Sequence, residues 1–161
     1  GFRFSNTSSR ALQVAAHLLM QGVNPEEIYR GVYATSSEGR VRMIGAVLET
    51  LVVEHERGLA WVTVPPGALA RYGVDPDDLE GVAEFPRSVQ GVRLALLFRQ
   101  LANGRVKVSF RSVGDVDVAR LAASFGGGGH RRAAGASFEG SLPAVQAQVL
   151  AAARSVLDGH G

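Results

Sequence analysis

Residues 125–135 read Phe-Gly-Gly-Gly-Gly-His-Arg-Arg-Ala-Ala-Gly, and no other segment narrows what this chain can fold into so tightly. Gly126, Gly127, Gly128 and Gly129 carry no Cβ and are free to take positive φ. Such a run can curl into a concave nest of backbone N–H donors that grips an anion, or it can serve as a tether. A flexible tether is usually longer and mixed with Ser or Pro. This run instead sits between an amphipathic helical turn and an apolar segment, where a compact fold holds both ends. The nest is therefore the expectation. His130, Arg131 and Arg132 follow at once, placing two fixed charges and a titratable ring beside it, which suits a phosphate. Neither common phosphate motif applies. No Gly-Lys-Ser/Thr follows the glycines, and the Gly-x-Gly-x-x-Gly register puts an arginine where the last glycine belongs.

The charge balance points the same way. The net charge is only +2, yet residues 87–132 hold nine basic residues against Asp115 and Asp117, while the remainder holds eight basic and thirteen acidic residues. A block of +7 beside a remainder of −5 favours an anionic partner. Sixteen of the 17 basic residues are Arg, a bias that genome composition alone can produce, so position is a better guide than count. Cysteine is absent, which excludes disulfides and thiolate metal sites and fits a cytoplasmic protein. No apolar run is long enough to cross a bilayer, and 161 residues allow one good core or two small ones.

The apolar spacing predicts three helices first: one from Ser8 or Ser9 to about Gly22, one opened by Asn24 as N-cap with Pro25 at the first helical position, and one over residues 38–55. At Gly58 the texture changes. Residues 59–64 read as a strand stopped by Pro65-Pro66, residues 67–72 as a short helix, and residues 75–80 as a further turn or helix. Residues 92–100 and 105–112 flank Ala102-Asn103-Gly104, a strong hairpin signal. In the second of these strands Val106, Val108 and Phe110 share one face, and Arg105, Lys107, Ser109 and Arg111 the other. Asp115 or Asp117 caps a helix ending at Gly126, residues 133–138 return as a strand, and residues 142–157 close the chain as a helix.

Lys107 to Ser112, Val116 to Ala119, and Phe125 through His130 to Gly135 closely resemble the C-terminal domain of DHH-family phosphoesterases. The likeness is nearest to the nanoRNase branch, bifunctional oligoribonucleases that also dephosphorylate 3′-phosphoadenosine 5′-phosphate. Glu84-Phe85-Pro86, residues 91–98 and the opening residues 1–7 fit that branch as well. The resemblance implies an α/β fold, a mixed β-sheet flanked by helices, preceded by a helical stub. It divides the chain into a helical tail of the catalytic domain (1–36), a linker helix (37–57) and a DHH-associated substrate-binding domain (58–161). No Asp-His-His motif is present. The expectation is therefore the C-terminal half of an enzyme, inert alone, with no catalytic or metal-ligating residue and no cofactor here. Divalent metal, usually manganese, belongs to the family's N-terminal catalytic domain. That domain and a short RNA or nucleotide substrate are the implied partners, a homo-oligomer is left open, and no membrane is involved.

The resemblance implies a phosphate-binding role for Arg111, Ser112, Gly127, Gly128, Gly129, His130 and Arg131. From the residues alone Arg111 reads first as a strand-end surface arginine, and the resemblance reverses that preference. Its guanidinium fork and the adjacent hydroxyl suit a phosphate. His17, His55 and His160 read as structural or solvated, and Trp61, Phe85, Phe98 and Phe110 as core rather than base-stacking residues. Two competing readings keep the domain but change its role, to a single-strand DNA exonuclease or cyclic-dinucleotide phosphodiesterase, or to a non-catalytic nucleotide- or RNA-binding module.

Overall fold

The computed structural model describes residues 7–33 and 36–159. The opening residues 1–6, quoted above for their family likeness, and His160 lie outside the described residues. The chain divides into two compact units at Ser37/Glu38.

The first unit is helical. α1 (Ser9–Met20) starts where the Ser8 hydroxyl accepts from Ala11 N at 3.2 Å. α2 (Pro25–Tyr33) starts where Asn24 Oδ1 accepts from Glu26 N at 2.9 Å, with Pro25 at its first position. Both starts follow the side-chain capping logic read from the sequence.

The second unit is a six-stranded mixed sheet in the order β1-β2-β3-β4-β6-β5 with helices on both faces. Its strands are β1 (Val52–Glu54), β2 (Leu59–Thr63), β3 (Leu94–Gln100), β4 (Val106–Ser112), β5 (Gly128–His130) and β6 (Ala133–Phe138). Only β2 and β3 are parallel. Their crossover carries α4 (Ala68–Tyr72), a 3₁₀ turn (Pro76–Leu79) and α5 (Glu84–Arg87), because parallel neighbours need a long connection.

Alternation along the strands sorts side chains onto two faces. Leu94, Leu96, Phe98, Val106, Val108, Phe110, Ala134 and Ala136 form one buried face, which α6 (Val118–Ala123) and α7 (Leu142–Leu157) cover with Val118, Leu121, Val145, Val149 and Ala153. Phe98 and Phe110 are fully buried, and truncating either to Ala costs about 3–5 kcal/mol. On the opposite face Met43 and Val47 of α3 (Glu38–Leu48) pack with Val62, Leu79, Val82 and Leu97. That second layer covers β2 and β3, reaches β4 through Glu84 of the crossover, and leaves β6 and β5 open.

The structure departs from the expected organisation around residues 37–57. The third helix ends at Leu48, and Val52–Glu54 pairs antiparallel with β2, Val52 opposite Trp61 and Val53 opposite Ala60. The Thr50 hydroxyl donates to Val47 O at 2.6 Å and accepts from Thr63 N at 2.8 Å, tying the helix end to β2. Residues 55–58 are thus a hairpin turn inside the sheet rather than a boundary. The helix expected as a linker contributes Met43 and Val47 to the core, and the compact unit starts at Glu38.

Candidate functional site

The Asn103-Gly104 turn fixes the β3–β4 register, so Ala95 lies opposite Arg111, Leu97 opposite Ser109 and Arg99 opposite Lys107. β6 continues these rows, with Ala133 beside Arg111 and Gly135 beside Ser109. β5 then adds His130 next to Ala133 and Gly128 next to Gly135. Cross-strand partners share a face. Arg111, Ala133 and His130 are thus one row on the open face, two strand spacings or about 10 Å from end to end. Ser109, Gly135 and Gly128 form the adjacent row. Between Arg111 and His130 this row holds only the Ala133 methyl, and in the adjacent row a methyl group on Gly128 would meet nothing within 4 Å.

Arg111 is the most constrained cation on this face. Its Nε donates to Glu84 Oε1 at 2.9 Å and its Nη1 to Phe110 O at 3.0 Å. Glu84 also accepts from Arg87 Nε at 2.7 Å. A guanidinium has five N–H donors, so three remain on Arg111 without a partner among the described residues. The trio Arg87, Glu84 and Arg111 keeps one net positive charge, so the carboxylate orients Arg111 without neutralising the site. Glu84 comes from α5 in the β2–β3 crossover, 27 residues from Arg111, and sequence reading assigned it no role in the site. Its spacing from Arg111 carries no signal, and only the folded crossover brings the two together.

The glycine run does not form the expected nest. Gly128–His130 is an extended edge strand paired to β6. Gly127 N donates to Ala122 O at 2.9 Å, which closes the end of α6 and removes that amide from ligand binding. A Cβ on Gly127 would sit 2.3 Å from Gly135 O, and one on Gly129, at φ +144, would sit 2.6 Å from Ala133 O. These two glycines are required by the close approach of β6. Gly128 and Gly129 remain on the exposed rim next to His130.

Ser112 is a second correction. It is 1% exposed, its hydroxyl donates to Val116 O at 2.7 Å, and its N–H donates to Arg132 O at 3.2 Å. It locks the β4–α6 loop against the β5–β6 turn and is out of reach of a phosphate. Arg131 donates from Nη2 to Asp115 O at 3.3 Å, which joins it to the loop ahead of α6 and not to the Arg111–His130 row. His130 and Arg132 are exposed. Phe98 and Phe110 are core residues as expected, whereas Phe85 is 45% exposed.

Among the described residues no group of three His, Asp or Glu side chains converges where a metal ion could be held, so no step below is routed through a metal. No helix of the described residues is long and apolar enough to cross a membrane. The arrangement can bind and orient an anion.

Comparison with known proteins identifies the fold. Residues 59–159 match the DHHA1 domain model. The chain is 35% identical over 161 residues to the bifunctional oligoribonuclease and PAP phosphatase NrnA of Thermus thermophilus, covering 99% of this chain and 48% of that protein. It is 27% identical over 136 residues to the protein of the same name from Bacillus subtilis, covering 84% of this chain and 42% of the relative. The chain thus spans about half the length of these relatives. An exopolyphosphatase-related protein from Bacteroides fragilis superposes with a TM-score of 0.87 at 31% identity, covering 98% of this chain and 47% of that one. The six-stranded mixed sheet flanked by helices is therefore that of a DHHA1 domain, the family to which this chain belongs.

Proposed function

We propose that this domain holds the phosphate end of a short oligoribonucleotide or of 3′-phosphoadenosine 5′-phosphate for hydrolysis by a longer phosphodiesterase of the DHH family. The observation that carries the reading is the Arg111–Ala133–His130 row: an oriented guanidinium and an imidazole-bearing residue share one face of the sheet, two strands apart. Arg111 supplies up to three charge-assisted donors to phosphate oxygens. His130 stands on the edge strand, where it would touch the phosphate or the ribose, and the exposed Gly128 and Gly129 beside it carry no side chain to obstruct a sugar–phosphate. The relatives named for oligoribonuclease and PAP phosphatase activity support the choice of ligand. The bond-breaking groups of such an enzyme lie outside the residues that form this face. Manganese chemistry and a cytoplasmic setting belong to the same proposal.

Calorimetric titration of the chain with AMP and with 3′-phosphoadenosine 5′-phosphate tests the reading. Saturable binding that is lost in Arg111→Ala and weakened in His130→Ala is expected. Binding that survives both substitutions would place the ligand elsewhere.

A further inference from the structure

The open face carries a second pair of cations that the Arg111–His130 row does not use. Arg99 of β3 and Lys107 of β4 are direct cross-strand partners on this face. Like charges opposite one another destabilise a sheet, and no carboxylate is ion-paired with Lys107 among the described residues. Arg99 Nη1 donates to Pro76 O at 3.3 Å, which holds its guanidinium against the 3₁₀ turn. Burial pulls the Arg99 guanidinium below its ordinary value, against the opposing charge of Asp77, as expected for a cation retained in a partly desolvated place. Lys107 is the one lysine among 17 basic residues, so arginine-rich composition does not account for it.

A cavity of about 260 Å³ joins this pair to the first site. The sheet side presents Arg99, Lys107, Ser109 and Arg111, and the wall formed by the crossover presents Asp77 and Glu80. The lining charges are three cations against Asp77 and Glu80, Arg111 being paired besides with Glu84 from outside the lining, and Ser109 adds a hydroxyl midway. Arg111 and Lys107 are four residues apart on one strand, about 13 Å at roughly 3.3 Å per residue. Stacked nucleotides advance about 3.4 Å per step along a strand. A mononucleotide at Arg111 does not bridge that distance, whereas an oligonucleotide does.

From this geometry we infer that Arg99 and Lys107 form a second anion site for the backbone of an oligonucleotide whose terminal phosphate occupies Arg111. The inference rests on the reading of Arg111 given above and adds a direction to it. The strand leaves Arg111 along β4, beneath the crossover, with Ser109 beside its path. A mononucleotide fills only the first site, and each added phosphate contributes affinity until the chain reaches Lys107.

The test uses AMP and an unlabelled pentaadenylate, titrated by calorimetry into the wild-type chain and into Lys107→Ala, whose side chain is exposed and whose fold is checked by circular dichroism. Wild type should bind pentaadenylate more tightly than AMP. In Lys107→Ala the pentaadenylate affinity should fall about fivefold to tenfold with AMP affinity held within about twofold. The log–log salt slope for pentaadenylate should become shallower by about 0.7, the increment for one cation on a single strand. Equal losses for both ligands, or none for pentaadenylate, would overturn the second site. If AMP binding is abolished by Arg111→Ala while pentaadenylate binding ignores Lys107, only the second site falls. If wild type binds neither ligand, both readings fall.

Discussion

Arg111 donates its Nε hydrogen to Glu84 Oε1 at 2.9 Å, and Glu84 is itself held by Arg87. The carboxylate therefore fixes which edge of the guanidinium faces the open sheet. It also places a negative charge near the proposed phosphate, so its hydrogen bond and its charge act in opposite senses. Glu84→Gln keeps an oxygen that accepts from Nε and removes the charge; AMP affinity should equal or exceed that of wild type. Glu84→Ala frees the guanidinium, and affinity should drop about threefold to tenfold, a fraction of the roughly 1.5–3 kcal/mol that a hydrogen bond to a charged group contributes. Calorimetry decides the matter: equal weakening in both variants would mean that the carboxylate does not act by orienting Arg111.

Ser112 separates structural from ligand-binding duty within one Arg-Ser dipeptide. Its buried hydroxyl serves Val116 O, so Ser112→Ala should destabilise the chain by about 1–3 kcal/mol, the usual effect of leaving a buried group unpaired. Urea denaturation reads that loss. AMP affinity of the folded variant should stay within about twofold of wild type, and a larger drop would return Ser112 to the ligand site.

The glycine run makes a graded prediction. A methyl group at Gly128 enters open space, while at Gly127 and Gly129 it meets backbone atoms of β6 at 2.3 and 2.6 Å. Gly128→Ala should leave the melting temperature within a few degrees of wild type. Gly127→Ala and Gly129→Ala should each lower it steeply, since the offending atoms are main chain and Gly129 also has φ +144. Thermal scans by circular dichroism rank the three, and a Gly128→Ala variant as unstable as the others would contradict the edge-strand geometry.

Much of this was legible in the sequence wherever one face of an element is buried. Val106, Val108 and Phe110 alternate with Lys107, Ser109 and Arg111, and the Asn103-Gly104 turn pins the register, so the hairpin and the two faces of its second strand could be read directly, whereas the first strand is apolar at both parities. The caps Ser8, Asn24 and Asp117 were equally readable because each acts within three residues of its own position. Residues 49–54 were not. Leu48, Leu51 and Val52 fit a helical stripe, and only pairing with Ala60 and Trp61 makes Val52-Val53 a strand. The nest failed for a related reason. A glycine run has no side-chain pattern to mark it as a strand, and what demands Gly127 and Gly129 is the backbone of β6. Glu84 escaped notice as a site residue because its partner lies across a crossover.

The ion pair between Glu54 and Arg154 anchors edge strand β1 to α7, far along the chain from one another, with Arg154 Nη2 to Glu54 Oε1 at 2.6 Å. The hydrogen bond from Arg154 holds the Glu54 carboxyl below its ordinary value of 4.5, with burial opposing and the charges of Arg154 and Arg57 assisting. A carboxyl whose folded value is depressed binds its proton more readily in the unfolded chain. The stability it contributes is therefore complete above about pH 4.5 and is lost as pH falls through the lower folded value. In Glu54→Gln that contribution is absent at every pH. The melting temperature of wild type should exceed that of Glu54→Gln at pH 7, and the gap should close as pH falls below about 4.5. Both side chains keep partial solvent contact, so screening trims the effect, and raising the salt concentration should narrow the neutral-pH gap. Melting curves across that range, at low and high salt, would refute the assignment if the gap stayed constant with pH.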